Sequence, residues 1–183
     1  TNAITEFQLC ELITNDCEDK ILQNPNYSNV GALILNYINE SIRQEYVNDK
    51  ESFIKTYIAK TDYLFKNLPG FIVPEYHAYV TSPEFLVDFQ DFDEFVYELP
   101  FFVDIFGYKT LDGSYLMKVN GVIIENVIDT FMRVAVAVQF RALDLSREEI
   151  VTNIKIAFTN MKHGKYIHAT PTMYNAGTTH EQL

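Results

Sequence analysis

Chemistry is suggested most strongly by residues 165–183, KYIHATPTMYNAGTTHEQL. Pro171 fixes its own φ and disfavours helical backbone at the residue before it. Thr170 is therefore expected in an extended, non-helical conformation, its hydroxyl projecting from a stiff support. Asn175, Gly177, Thr178 and Thr179 add turn geometry, bare backbone amides and more hydroxyls within a few residues. Neutral donors of this kind can hold a phosphate without a lysine. The residues alone leave two readings open, a ligand loop and an ordinary helix-to-strand connection.

Other chemically capable residues read more simply. Cys10 and Cys17 lie seven apart on one expected helix, about 10.5 Å at 1.5 Å per residue, which is too far for a disulfide. Small apolar packing is their expected role. Glu84, Asp88, Asp91, Asp93, Glu94 and Glu98 cluster, but no His joins them, so they read as a solvated face that could repel or recruit a basic partner. Arg133, alone in an apolar helix, is expected to form a buried or half-buried ion pair with Glu125 or Asp129 rather than to act in catalysis.

The elements that would position these residues are mostly helical. Leu9, Leu12, Ile13, Cys17 and Ile21 mark one face of a helix over about 5–22. Asn24-Pro25 ends it, Ser28 or Asn29 caps the next, and Val30, Leu33, Ile34, Tyr37, Ile38 and Ile42 form that helix's buried stripe, to near Tyr46. A third helix runs from about Glu51 to Asn67 and breaks at Pro69-Gly70, giving three packed helices. Ser82-Pro83-Glu84 starts another, with Phe85, Leu86, Phe89, Phe92 and Val96 on its packing side. From Gly107 the pattern changes to strand, with Tyr115, Met117 and Val119 alternating and Asn120-Gly121 as a hairpin turn before Val122–Ile124. Glu125 to about Phe140 reads as a helix suited to burial on more than one side. Ser146 and Glu149 form a capping box for a last helix, Gly164 terminates it, and Lys162 and His163 suit its negative end.

Composition sets bounds. The chain has 183 residues, 48% of them hydrophobic, enough for a core in one domain or a small pair. No apolar run could cross a membrane, and no signal segment is evident at the start. Two cysteines without metal-ligand spacing argue against a disulfide framework and a zinc site and fit a reducing, cytoplasmic setting. A net charge of −11 argues against gripping nucleic acid, whereas one small anion needs only a local donor site.

A family resemblance enters on three stretches in order. They are Phe106-Gly107-Tyr108-Lys109-Thr110-Leu111 with Ser114-Tyr115-Leu116-Met117-Lys118; Met132 to Ala137; and His168-Ala169-Thr170-Pro171-Thr172-Met173-Tyr174-Asn175-Ala176-Gly177-Thr178, closed by Gln182-Leu183. Together they resemble the class I ribonucleotide reductase large subunit, with weaker similarity back through Asn24-Pro25-Asn26-Tyr27 and least around residues 48–100. The resemblance implies a mainly α fold with a small β-hairpin, leading into the first strand of a ten-stranded α/β barrel. It implies three regions: 1–70, helices like the back of an ATP-binding cone and a following helix; 71–164, a helical domain with a hairpin near 107–124; and 165–183, the start of the barrel. The cone's leading nucleotide-contacting segment has no counterpart here, so no effector-binding residue is carried over.

The resemblance also implies an activity, reduction of ribonucleoside diphosphates to deoxyribonucleoside diphosphates by thiyl-radical chemistry. Thr170 matches a Ser or Thr whose hydroxyl helps hold the substrate diphosphate. For His168, packing or loop orientation is expected rather than acid/base work. No catalytic residue is assigned. Neither Cys10 nor Cys17 corresponds to a catalytic cysteine, and the family's Ser-Ser-Cys triplet follows the residues matching Gln182-Leu183, so this polypeptide alone is expected to be a catalytically silent fragment. It is expected to bind no cofactor itself. The whole enzyme is implied to take a radical from a metal-containing small subunit and to answer to ATP or dNTP effectors. Implied partners are the substrate, that small subunit, a second large subunit and the remaining carboxy-terminal part, with no nucleic acid or membrane. Two alternatives stay open: an interaction module that complements a separate carboxy-terminal half, and a small helical nucleotide-binding regulatory domain.

Overall fold

Helix caps and hydrophobic periodicity account for most of the architecture. The computed structural model describes residues 4–43, 52–92 and 103–181, apart from the side chains of 39–43. Expectations for Val96, Asp93, Glu94, Glu98, Ile42, Tyr46, Gln182 and Leu183 lie outside those described residues or side chains. Helix α1 spans Glu6–Lys20 and starts with a Thr5/Gln8 capping box. Helix α2 is Asn26–Arg43, and α3 is Phe53–Asn67, capped by Ser52. Two short helices, α4 (Pro74–Val80) and α5 (Pro83–Phe89), both carry proline in the first turn, and the Ser82 hydroxyl caps α5 as expected.

The first two helices depart from expectation. Helix α2 begins at Asn26, so Ser28 is not its cap; the residue is buried, and its hydroxyl accepts the Ile105 amide at 3.3 Å. Leu9, Leu12 and Ile13 on α1, and Val30, Leu33 and Tyr37 on α2, are exposed. The reason is geometric: α1 packs mainly on α2, so a single neighbour covers a narrow face, which presents Thr14 and Cys17. Helix α2 in turn packs on α6 (Ile105–Ser114) at Gly31, where a methyl would collide with Ile105 Cδ1. Helix α3 packs instead on α4 and α5, so among the described residues α1, α2 and α3 do not form the expected group of three packed helices.

Helix α6 corrects the strand expected from Gly107. Asp104 supplies a cap, its carboxylate accepting the Gly107 amide at 2.7 Å, and the chain stays helical to Ser114. The hairpin is shorter than expected, β1 (Lys118–Val119) against β2 (Val122–Ile123), with Lys118 opposite Ile123 and Val119 opposite Val122. Its turn is the expected one: Asn120 and Gly121 take φ of 51° and 82°, the left-handed pair a two-residue hairpin requires.

Two helices close the fold and carry its centre. Helix α7 (Val127–Ala137) is buried along its whole length, and an Asn126/Asp129 capping box begins it. Helix α8 (Arg147–Lys162) starts at the expected Ser146/Glu149 box and packs on α7. Lys162 lies in the last turn, at the helix's negative end as expected, and is buried. Around α7 gather Phe53, Tyr57, Tyr76, Phe85, Phe89 and Phe158, many in stacked or tilted ring pairs. The buried hydroxyls of Tyr57 and Tyr76 bond to each other, which spares each an unpaired polar group.

Residues 165–169, expected as a first barrel strand, pair with no strand among the described residues. A short helix α9 (Thr170–Asn175) follows. The extended backbone expected at Thr170 is not found: Thr170 is the first helical residue, Ala169 (ψ 154°) is the extended cap before it, and Pro171 falls in the first turn, where it needs no amide partner.

Candidate functional site

The site is built around Arg133, at the centre of α7. Only 2% of the residue is exposed, and its guanidinium makes a two-pronged pair with Glu125, Nε to Oε1 at 2.6 Å and Nη2 to Oε2 at 3.0 Å. Its remaining hydrogens reach backbone carbonyls. Nη1 donates to Ala176 at 2.9 Å and Met173 at 3.4 Å, and Nη2 donates to Tyr115 at 3.4 Å. Burial by itself would lower the guanidinium pKa, but the Glu125 charge and hydrogen bonds outweigh it and raise it. Glu125 also accepts the Met117 amide at 3.0 Å and the Thr130 hydroxyl at 3.2 Å. One buried ion pair therefore fastens the hairpin entry and α9 to α7. Of the two partners expected for Arg133, Glu125 is the one used; Asp129 pairs with buried Lys60 at 2.6 Å.

The segment after α9 is tied down a second time. Ile72 and Thr178 form an antiparallel bridge, with the Val73 amide donating to the Gly177 carbonyl at 3.0 Å and the Thr179 amide to the Phe71 carbonyl at 2.8 Å. The Gly177 amide donates to Glu181, which pairs in turn with Arg141, and the Thr178 amide and hydroxyl both donate to the Asn175 carbonyl. The amides expected to be bare for phosphate are thus engaged in holding the loop. Of the two readings left open by composition, these amides serve the structural turn.

Thr170 is different. It is exposed, and its hydroxyl contacts the Tyr115 hydroxyl at 3.0 Å. Both line a cleft of about 900 Å³ between α6 and residues 164–173, with Leu111, Phe131, Met161 and Met173 among its apolar walls. His168 lines it too; its Nε2 is buried without a hydrogen-bond partner, and desolvation lowers its pKa. The ring stands edge-on to Tyr166 at 5.2 Å, a packing role of the kind expected.

Tyr115 escaped the sequence reading. The sequence offers it only as part of a strand alternation and of a family motif, with no role at the site, and its partner lies 55 residues away, so no local pattern signals the contact. Elsewhere, Cys10 and Cys17 are both free thiols. Asp88 pairs with Arg147 and Asp91 with Lys155, so these members of the acidic cluster have structural partners. Among the described residues, no group of three or more His, Cys, Asp or Glu could hold a metal ion, and no helix is long and apolar enough to cross a membrane.

Fold and cleft define a helical domain that presents a hydroxyl-bearing loop. Residues 101–181 match the family model described as ribonucleotide reductase, all-alpha domain. The chain is similar to ribonucleoside-diphosphate reductase large subunits of Acanthamoeba polyphaga mimivirus (42% identity over 87 residues, 48% of this chain and 9% of the relative) and Arabidopsis thaliana (28% over 184 residues, 98% and 20%). A third, from Monkeypox virus, is 26% identical over 186 residues, 100% of this chain and 22% of the relative. Residues 101–181 thus carry the ribonucleotide reductase all-alpha domain, and along its length the chain is similar to the large subunits of that enzyme. It spans about a fifth of the length of the two relatives that it matches end to end.

Proposed function

We propose that this chain is the helical part of a ribonucleoside-diphosphate reductase large subunit that leads into the catalytic barrel and offers Thr170 to the substrate diphosphate. The observation that carries the reading is the exposed Thr170 hydroxyl at the rim of a cleft, on a loop secured by Arg133 and by the Ile72–Thr178 bridge. Its sequence position matches the family's diphosphate-holding Ser or Thr. In this reading residues 1–70 are cone-like helices with a following helix, 71–164 the helical domain and 165–183 the approach to the barrel. The radical, in this reading, comes from a metal-containing small subunit, and the reductant thiols and the ATP or dNTP effector sites are not among residues 1–183. The chain alone is catalytically silent, and a cytoplasmic setting fits its two free thiols.

The test is nucleoside-diphosphate reduction by the enzyme assembled from this chain, the rest of a large subunit and a small subunit. A hydroxyl hydrogen bond to a charged oxygen is worth roughly 1.5–3 kcal/mol, so Thr170→Ala should raise KM by about 10- to 100-fold while kcat changes much less. An unchanged KM overturns the assignment. A second reading, a module that assembles with a separately encoded remainder of the subunit, is favoured by the apolar side chains exposed on α1 and α2. Mixing the two polypeptides and measuring co-elution and activity tests it; neither complex nor activity would exclude it.

A further inference from the structure

The Thr170 hydroxyl has one hydrogen and can serve an anion only if that hydrogen points outward. Its neighbour within hydrogen-bond reach is the Tyr115 hydroxyl, at 3.0 Å, and either oxygen could donate. Arg133 holds the backbone on both sides of this contact, through the Tyr115 carbonyl on one side and the Met173 and Ala176 carbonyls on the other. Two hydroxyls 55 residues apart in sequence are therefore brought together by one buried guanidinium.

We infer that Tyr115 is a positioning residue for Thr170: its phenol donates to the Thr170 oxygen and leaves the threonine hydrogen free to donate to a phosphate oxygen of the substrate. The inference rests on the assignment of Thr170 to the diphosphate. With the phenol donating, the threonine oxygen is occupied as an acceptor and its own O–H becomes the better donor, because successive hydrogen bonds polarise one another. Without the phenol, the threonine hydroxyl rotates among its three staggered positions and meets the ligand less often in the right one.

The experiment is a double-mutant cycle on KM in the assembled reductase, using Tyr115→Phe, Thr170→Ala and the pair. Tyr115→Phe keeps the ring in the cleft wall and should raise KM by about two- to tenfold, the range of one neutral hydrogen bond, with kcat little changed. In the Thr170→Ala background the same change should add nothing. Thermal unfolding of each variant separates positioning from packing, since a purely structural tyrosine would lower the melting temperature without coupling to Thr170 in KM. If Thr170→Ala leaves KM unchanged, the diphosphate assignment falls and the inference with it. If Thr170→Ala raises KM but Tyr115→Phe does not, or if the two effects are simply additive, the inference alone fails. Tyr115→Leu, which removes ring and hydroxyl together, should raise KM at least as much as Tyr115→Phe; a smaller effect also counts against the hydroxyl.

Discussion

Arg133 shows how much one side chain can organise when every donor is used. Its guanidinium meets a carboxylate and three backbone carbonyls inside the protein, where an unpaired charge is costly. Arg133→Met should therefore destabilise the chain by about 3–5 kcal/mol, chiefly because Glu125 is left buried and charged. Adding Glu125→Met to it should recover part of that loss, and comparing urea unfolding midpoints measures both. Recovery will be incomplete, since the Met117 amide loses its acceptor and the Ala176 carbonyl its donor. The existence of this pair was legible in the sequence, because a lone arginine in an apolar helix needs a carboxylate. Its choice of Glu125 was not: Asp129 is the nearer of the two in sequence but is taken by Lys60, 69 residues away.

At the scale of elements, caps were more reliable than stripes. The Ser82 cap, the Ser146/Glu149 box and the Asn120-Gly121 turn are chemical signals complete within a few residues, and each appears as read. Stripes depend on what covers them. Periodicity on α1 and α2 correctly announced helices but not the buried side, because the packing partner is supplied by distant sequence such as Ile105. The misread stretch 107–114 had strand-like residues, and the Asp104 cap decided for helix. The same distinction sets a contrast in energy. Phe158, fully buried against Phe53 and Phe92, should cost about 3–5 kcal/mol as Phe158→Ala. Leu12 is 58% exposed, and Leu12→Gln should stay within about 0.5 kcal/mol, despite its place on a textually hydrophobic stripe. Denaturant titration of the two variants reads the difference directly.

For the whole molecule, the excess of acidic over basic residues is a destabilising field. Net charge is −11, and like charges on a compact body repel. Raising ionic strength from about 0.01 M, where the Debye length is ~30 Å, to about 0.15 M, where it is ~8 Å, should raise the melting temperature by roughly a few degrees. The exposed pairs, Arg147–Asp88 and Lys155–Asp91 among them, weaken over the same range, but such pairs contribute only about 0–1 kcal/mol each. A falling melting temperature would mean that local pairs outweigh global repulsion. The candidate site was half legible at this scale. Thr170 could be named from its motif, whereas the cleft it borders is made by α6, α7 and the chain after α8, and exists only once they have met.

The Ile72–Thr178 bridge has a kinetic meaning. The Thr179 hydroxyl that reaches the Gly70 carbonyl closes a circuit of 109 residues, and Arg133 lies inside that circuit. Closing so large a ring forfeits chain entropy before it returns any contact. The segment bearing Thr170 should therefore order late in folding, on helices already in place, and folding kinetics of Thr179→Ala should show faster unfolding with little change in the folding rate.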